Sequence, residues 1–381
     1  HRILPGDVLV APQTNPDFVP AMKKAVAIVT DSGGRTSHAA IVSRELGIPA
    51  VVGTESATKK IKTGTIITVN GAKGEIYKGG FPQVRQATFK NYKSIKTATK
   101  LYVNLAQPEW AEKIAQKDVD GVGLLRAEFM MADIGVHPKK MIADGKKHIY
   151  IDKLAEDIGK FCTAFNPRPV VYRASDFKTN EYRNLVGGKS FEPEESNPML
   201  GFRGAFRYIH NSEVFELELS AIKKVREKMG FKNIWIMIPF VRTVQELEKV
   251  KKLINESGLQ RSSTFKIWMM AEIPSNVIML EEFIKVGIDG ISIGSNDLTM
   301  LILGTDRDNS EVSDEFNEMH PSALWAFEHI IKTSHKFNIT ASFCGQAVSA
   351  YPELVRKLVS WGVSSVSVFP DAIENTRKLL A

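Results

Sequence analysis

The chain contains few cysteines and no long apolar run. Only Cys162 and Cys344 occur among 381 residues, which excludes a disulfide framework and is typical of a reducing compartment, so we expect a cytoplasmic protein. No stretch of about 18 consecutive apolar residues is present, and we therefore expect no membrane span. The first residues, HRILPGDVLV, lack a starting Met and a signal-peptide pattern, and we expect them to come from the interior of a longer protein.

Acidic residues are slightly outnumbered by basic ones. Lys and Arg total 50 against 43 Asp and Glu, which gives a formal charge of +7. Such an excess is usually solvated surface, and the functional alternative is attraction for anions such as phosphate or carboxylate. No nucleic-acid-binding motif accompanies the charge, so we expect no nucleic-acid partner. The length suggests two or three domains, and the hydrophobic content of 43% is that of a globular protein.

Residues 1–80 predict a small α/β domain. Short apolar runs (VLVA, AVAIVT, PAVVGT, TIITVNG and GEIY) are separated by Gly, Asp and Asn, a pattern typical of short strands and turns. One clear helix is predicted from about Ala39 to Gly47, where glycine is suited to end it. The polar, Lys-rich stretch QVRQATFKNYKSIKTATK follows. We therefore predict a domain over 1–80, a linker over 81–100 and a second domain over 101–381.

The second domain alternates strands with amphipathic helical stretches. Eight buried-type strands over roughly 280 residues favour a (β/α)8 TIM-type barrel, and an open doubly wound sheet is the alternative. The predicted strands are LYVNLA (101–106), GVGLLR (121–126), PVVYR (169–173), IWIMIPF (234–240), KIWMMAEI (266–273), GISIGS (290–295), TASFCG (340–345) and SVSVFP (365–370).

Polar residues cluster at the predicted carboxyl ends of these strands, where barrels of this kind carry their chemistry. Arg126 and Arg173 end two strands, and Arg203 lies in a long connection, so the three can converge on a phosphate. Glu272 and Asp297 follow consecutive strands and can share a hard cation such as Mg²⁺. Alone, each arginine is as readily a structural ion-pair partner, and each carboxylate a helix cap. The other residues at these ends are Asn104, Pro239, Asn296, Cys344, Gln346, Phe369 and Pro370.

The segment TDSGGRTSHAAIVSREL places His38 in the first turn of the predicted helix. A helix N-terminus offers N–H groups and partial positive charge, which favours a bound anion and disfavours a protonated imidazole. A phosphoryl group on a neutral, nucleophilic His38 would be stabilised there, with Arg35 and the hydroxyls of Thr36 and Ser37 nearby. The alternative is a histidine that only caps or packs. Metal ligation is less favoured, because no ligand-type side chain lies at a suitable spacing.

Several motifs resemble those of the phosphoenolpyruvate-utilising enzymes. GGRTSHAAIVSRELGIPAVVGT is similar to their phosphohistidine segment, and GVGLLRAEFM, NPMLGFRG, MIPFVRT, MAEIPSN, SIGSNDLT and FCGQ resemble successive motifs of their barrel domain. The resemblance covers nearly the whole chain and implies a swivelling phosphohistidine domain before a barrel. Three members compete: phosphoenolpyruvate synthase (pyruvate, water dikinase), pyruvate phosphate dikinase and the first enzyme of the sugar phosphotransferase system. The long runs SDFKTNEYRNLVGGKSFEPEESNPMLGFRG and EIPSNVIMLEEF are most similar to the synthase.

This resemblance implies a phosphotransferase in which His38 carries a phosphoryl group to and from pyruvate. Arg126, Arg173 and Arg203 would balance the charge of the transferring group. Cys344 would exchange the proton at the methyl carbon of pyruvate, which requires a thiol with a pKa that is not strongly lowered. The linker would allow the phosphohistidine domain to move between sites.

The resemblance also implies a Mg²⁺ cofactor. Glu272 and Asp297 would hold the metal, which would polarise the carbonyl of pyruvate. Gly294, Ser295 and Asn296 would receive the substrate carboxylate through backbone N–H groups and the Asn amide.

One part of the family pattern is missing. The synthase begins with a large nucleotide-binding domain, and this chain has neither room for it nor a Gly-rich ATP loop, so ATP would act through a missing N-terminal domain. We therefore expect either a fragment or a chain that works with a separate subunit, and related enzymes suggest a homo-oligomer. Phe369 stands where the synthase usually has Asn. The open alternatives are an enzyme like pyruvate phosphate dikinase, a non-catalytic phosphocarrier or scaffold subunit, and a metal-dependent aldolase or lyase.

Overall fold

The chain divides into two compact units. In the computed structural model, one unit comprises residues 1–94 with 305–316, and the other comprises residues 95–304 with 317–381. The structure describes residues 3–14, 18–34, 37–80, 96–306, 309, 311–312 and 315–381. Most of the predicted linker, residues 81–95, lies outside the described residues.

The first unit is a small α/β domain, as predicted. Strands β1 (Val8–Ala11), β2 (Ala27–Thr30) and β3 (Ala50–Val51) form a parallel sheet in that order, and β4 (Ile67–Asn70) pairs antiparallel with β5 (Glu75–Lys78). The predicted helix is α2 (His38–Leu46), and it ends at Gly47, which has a left-handed φ of 67° that suits glycine. The sequence did not predict two short helices, α1 (Val19–Met22) and α3 (Ala57–Lys60).

The second unit is a closed barrel of eight parallel strands. The first and last strands pair, with Lys100 in register with Ser365, and this closure excludes the open doubly wound sheet. The predicted (β/α)8 fold is therefore confirmed. Its strands are β6 (Lys100–Leu105), β7 (Gly121–Arg126), β8 (Val170–Arg173), β9 (Ile234–Ile238), β10 (Ile267–Ala271), β11 (Gly290–Ile293), β12 (Thr340–Phe343) and β13 (Ser365–Val368).

Helices surround the barrel and bury one apolar face against it. Helix α11 (Val244–Glu256) begins after Thr243, whose hydroxyl accepts a hydrogen bond from the N–H of Glu246 and so caps the helix. The helices of this unit are α4 (Ala111–Ala115), α5 (Ala127–Ile134), α6 (Pro138–Ala143), α7 (Lys147–Phe165), α8 (Thr179–Arg183), α9 (Gly204–His210), α10 (Ser212–Glu227), α11 (Val244–Glu256), α12 (Pro274–Ile278), α13 (Leu280–Lys285), α14 (Ser295–Leu303), α15 (Pro321–Lys336), α16 (Ala347–Ala350), α17 (Pro352–Ser360) and α18 (Ile373–Leu380).

The barrel interior is packed with side chains and is not a channel. Trp268 fills one level, lying so close to Gly290 that any Cβ there would stand 2.7 Å from the indole. Small polar side chains bond one another at other levels, for example Ser367 Oγ to Asn104 Oδ1 at 2.6 Å. A filled interior confines open space to the strand ends. Among the described residues, no helix combines the length and the apolarity that a membrane crossing requires.

Candidate functional site

Two arginines lie side by side at the carboxyl ends of neighbouring strands. Arg126 on β7 and Arg173 on β8 are partners in the strand register. Arg173 Nη2 donates to Glu128 Oε1 at 2.8 Å, and the same oxygen accepts the N–H of Asp176 at 2.6 Å. Burial opposes the charged guanidinium, but Glu128 and Asp176 outweigh it and raise the pKa of Arg173 above its ordinary value. Arg173 is therefore a fixed cation at the barrel mouth.

A third arginine, Arg203, reaches the same region from the connection before α9. Its Nε and Nη2 donate to the two oxygens of Asp176 at 3.0 and 2.5 Å, and Nη2 also donates to Asp297 Oδ2 at 3.0 Å. Its guanidinium lies 3.9 Å from the centre of the Phe240 ring. Only 3% of the residue is exposed. This arginine therefore links carboxylates that follow two different strands.

The loop before Arg203 is held at both backbone groups of one residue. The N–H of Phe202 donates to Glu195 Oε1 at 3.0 Å, and its carbonyl accepts Arg207 Nη2 at 2.8 Å. Arg207 is itself fixed by two bonds of 2.7 and 2.9 Å to the buried Glu192. The peptide that leads into Arg203 therefore has little freedom.

Glu272 is buried in the same cluster, with 3% of the residue exposed. Its Oε1 accepts the N–H of Phe240 at 2.5 Å, and Phe240 adopts a left-handed φ of 47°, which is strained for an aromatic residue. A Cβ added at Gly294 would lie 2.9 Å from Glu272 Oε2, so glycine is needed beside this carboxylate. Burial, Asp297 and Asp176 raise the pKa of Glu272 to about 8, against the opposing effect of nearby arginines.

The residues present fit the predicted magnesium. Glu272 and Asp297 are hard oxygen donors, and burial together with Asp297 and Asp176 disfavours the charged form of Glu272, which a bound cation would stabilise. Within the described part of the chain, no three His, Cys, Asp or Glu side chains group as a metal site. Two carboxylates, completed by substrate oxygens and water, nevertheless suffice for Mg²⁺.

The turn that begins α14 differs in part from the prediction. The N–H of Gly294 donates to the carbonyl of Ala271 at 3.0 Å, so it is committed to the sheet and the predicted role in binding a carboxylate does not fit this geometry. The hydroxyl of Ser295 donates to the buried Glu318. Asn296 Oδ1 accepts the N–H of Gln346 at 3.4 Å. The helix N-terminus, with Ser295 and Asn296 in its first turn, keeps its suitability for an anion.

Cys344 follows β12 and packs on top of the barrel interior. It is 5% exposed, its Sγ lies 3.5 Å from the carbonyl of Ile293, and its own carbonyl accepts Asn104 Nδ2 at 3.2 Å. Burial is the main cause that raises the pKa of Cys344 to about 11. The side chain is therefore a neutral thiol near pH 7, which suits proton donation better than nucleophilic attack.

In the first unit, His38 is the first residue of α2. Its Nδ1 is 2.9 Å from the hydroxyl of Thr14, which is 3% exposed. Ser37 precedes the helix but makes no side-chain cap hydrogen bond. Thr36 and Arg35, the other predicted neighbours, lie outside the described residues. The imidazole thus has a fixed orientation at a helix N-terminus, with Nδ1 held by Thr14.

Three residues that the sequence did not single out join the predicted ones at the carboxyl ends of the barrel strands. Asp176 and Glu128 pair with the arginines, and Phe240 holds Glu272 through its N–H. An acid three residues after the strand-end Arg173 was a readable signal for Asp176. The left-handed backbone conformation of Phe240 had no such signal in the sequence, because glycine is the residue type that indicates this conformation.

Comparison with known proteins gives the family. Residues 83–381 match the PEP-binding domain of PEP-utilising enzymes, and residues 3–74 match their mobile domain. The chain belongs to the family of PEP-utilising enzymes. It is 50% identical to a protein named probable phosphoenolpyruvate synthase from Staphylothermus marinus, over 99% of this chain and 47% of that protein. The phosphoenolpyruvate synthase of Aeropyrum pernix is also 50% identical, over 99% of this chain and 48% of its own length.

A bacterial relative is similar over the same region. The phosphoenolpyruvate synthase of Pseudomonas aeruginosa is 45% identical over 100% of this chain and 51% of its own length. The chain therefore spans about half the length of the curated relatives it matches.

Proposed function

We propose that this chain transfers a phosphoryl group between His38 and pyruvate, forming phosphoenolpyruvate in one direction and consuming it in the other. The barrel-mouth cluster carries the proposal: buried carboxylates lie among three arginines, the groups that a doubly charged phosphoryl substrate and a cation need together. The family match and the names of the relatives support it.

The phosphoryl group resides on Nε2 of His38 in this proposal. Thr14 engages Nδ1 and fixes the ring, which favours attack by the other nitrogen. The N-terminal position on α2 stabilises the negative charge of the phosphorylated ring.

Replacing Thr14 with valine removes the hydroxyl that holds Nδ1 and leaves the side-chain volume nearly unchanged. We expect phosphorylation of His38 from phosphoenolpyruvate to slow about tenfold, because a hydrogen bond of this kind is worth about 1 kcal/mol and orientation adds to it. Rapid-quench kinetics measure the rate. Thr14→Ser retains the hydroxyl and should stay near the native rate; equal rates in the native chain and Thr14→Val would contradict the role of Thr14.

When phosphoenolpyruvate is consumed, His38 accepts the phosphoryl group and Cys344 supplies the proton. The bond from phosphorus to the enol oxygen breaks, a bond from phosphorus to His38 Nε2 forms, and the enolate of pyruvate remains. The Cys344 thiol then gives its proton to the methylene carbon, which yields pyruvate and a thiolate. Solvent then returns a proton to the thiolate. Synthesis follows the reverse order, so the thiol first gives its proton to solvent and the thiolate then removes a proton from the methyl carbon. Arg126, Arg173 and Arg203 offset the charge of the phosphoryl group during transfer.

A divalent cation belongs to this proposal. Glu272 and Asp297 would hold Mg²⁺, which supplies Lewis-acid polarisation of the carbonyl oxygen when bound. The carboxylate of the substrate would lie at the N-terminus of α14, on the N–H groups of Ser295 and Asn296.

Replacing Glu272 with glutamine removes one of the two proposed ligand charges and keeps the volume. We expect the dissociation constant for Mg²⁺ to rise at least about tenfold, since a neutral amide is a much poorer ligand for a hard cation. Calorimetry with Mg²⁺ measures it. Glu246→Gln changes another buried carboxylate, which accepts the N–H of Arg242, and should bind Mg²⁺ as the native chain does. Undiminished affinity in Glu272→Gln would remove the ligand assignment.

For the whole protein we propose pyruvate, water dikinase activity: ATP, pyruvate and water give AMP, phosphoenolpyruvate and phosphate. ATP would phosphorylate His38 through a nucleotide-binding part outside this chain. By analogy with related enzymes, we also propose that the protein forms a homo-oligomer. The half-reaction between His38 and pyruvate can be tested with this chain alone. In the presence of Mg²⁺ and phosphoenolpyruvate, isotopically labelled pyruvate should be converted into labelled phosphoenolpyruvate. Absence of exchange by folded protein would favour a scaffold role.

A further inference from the structure

A buried carboxylate behind the barrel wall, that of Glu218, contacts the strand and loop that carry two site residues. Glu218 lies on α10 and is 1% exposed. Its Oε2 accepts the Tyr172 hydroxyl at 2.9 Å and the Ser175 N–H at 3.0 Å, and its Oε1 accepts the Ser175 hydroxyl at 2.5 Å. Burying a carboxylate costs desolvation free energy, and these three hydrogen bonds offset that cost while tying Glu218 to β8 and the loop after it.

Ser175 lies between two residues of the proposed site, Arg173 and Asp176. All three of its polar groups are held by buried side chains: Glu218 accepts the N–H and the hydroxyl, and the Tyr208 hydroxyl donates to the carbonyl at 2.5 Å. Tyr208 is in turn stacked on Phe215, with the rings 4.3 Å apart and nearly parallel. Two helices, α9 and α10, therefore fix Ser175 in the β8–α8 loop.

We propose that Glu218 is a positioning residue for the phosphoryl site, acting through Ser175 to hold Arg173 and Asp176 in place. The inference rests on the proposed function for the identity of the ligand, and on the contacts of Glu218 for the positioning. An error of about 1 Å in such a loop is enough to weaken a charged site severely. The position of Asp176 in turn determines that of Arg203, because the Arg203 guanidinium donates two hydrogen bonds to the Asp176 carboxylate.

The test measures binding of phosphoenolpyruvate by calorimetry in the His38→Asn chain, in which the ligand is not consumed. We expect Glu218→Leu to raise the dissociation constant at least tenfold, because Ser175 then loses two acceptors at once. Glu218→Gln keeps an acceptor oxygen and should recover most of the affinity. Tyr208→Phe removes the hydroxyl that donates to the carbonyl of Ser175, and we expect an intermediate rise in the dissociation constant. This variant provides the test if Glu218→Leu does not fold.

The matched control is Ile222→Ala, one turn further along α10. Ile222 is fully buried and belongs to the core, so its truncation destabilises the fold while leaving the Glu218 and Tyr208 side chains that bond Ser175 in place. We expect its affinity for phosphoenolpyruvate to stay within twofold of the parent chain. Equal weakening in Ile222→Ala and Glu218→Leu would show a general loss of stability and overturn the proposal.

A second readout needs no ligand. Amide hydrogen exchange at Ser175 should accelerate at least tenfold in Glu218→Leu and much less in Ile222→Ala, since only the former removes the acceptor of that N–H. A parent chain that binds no phosphoenolpyruvate would overturn the proposed function, and exchange at Ser175 would still decide the positioning role. Unchanged exchange and unchanged affinity in Glu218→Leu would overturn the positioning role while leaving the function intact.

Discussion

Replacing His38 with asparagine should abolish phosphoryl transfer and leave the proton exchange of pyruvate intact. Asparagine is polar and fits the first position of α2, but its amide nitrogen is not a nucleophile, so no phosphorylated form can accumulate. We expect no radioactive label on the chain after incubation with ³²P-labelled phosphoenolpyruvate and Mg²⁺. Tritium wash-out from the methyl group of pyruvate should continue near the native rate, because that chemistry needs only the barrel.

The control for this variant is His148→Asn, which changes an exposed histidine on α7. It should retain both activities. Persistent labelling of the His38→Asn chain would show that another residue carries the phosphoryl group. Loss of proton exchange in His38→Asn would show that the two half-reactions are not separable as proposed.

Replacing Cys344 with alanine should slow proton exchange at the methyl group of pyruvate by about 10²- to 10⁴-fold, the usual contribution of a positioned acid or base. Burial raises the pKa of Cys344 to about 11, so the thiol holds its proton near pH 7 and can deliver it to an enolate. Transfer of the phosphoryl group from phosphoenolpyruvate to His38 should persist, because cleavage of the bond to phosphorus does not require the thiol. Tritium wash-out and phosphohistidine formation are measured in parallel.

The chain supplies a matched control in its other cysteine. Cys162 is also buried, and burial raises its pKa to about 12, but it lies on α7 against Asn233, outside the barrel mouth. Cys162→Ala should exchange tritium at the native rate. Tritium wash-out that is as fast in Cys344→Ala as in the native chain would show that another group exchanges the proton.

The fold was largely predictable because it depends on local patterns. Each barrel strand is a short apolar run bounded by turn residues, and all eight predicted strands are present. The helix after the glycine pair was predicted to start near Ala39 and begins one residue earlier, at His38. Such boundaries follow from the helix signals in the sequence.

The electrostatics of the site could not be predicted in the same way. The sequence placed Arg173 and Arg203 at the mouth but did not assign their partners: Glu128 pairs with Arg173, and Asp176 pairs with Arg203. Gly294 was expected to offer its N–H to a substrate, yet the sheet register commits that group to Ala271. Glu218 reaches Ser175 across 43 positions of the chain. Contacts of this kind depend on tertiary packing, which hydrophobic periodicity does not encode.

In the proposed reaction, His38 receives a phosphoryl group directly from phosphoenolpyruvate. The most direct test is mass spectrometry of the chain after incubation with phosphoenolpyruvate and Mg²⁺, with peptide mapping under alkaline conditions that preserve phosphohistidine. We expect one added phosphoryl group on the peptide that contains His38, with one pyruvate released for each group bound. An unmodified His38 peptide from folded protein, or a phosphoryl group on a different residue, would contradict it.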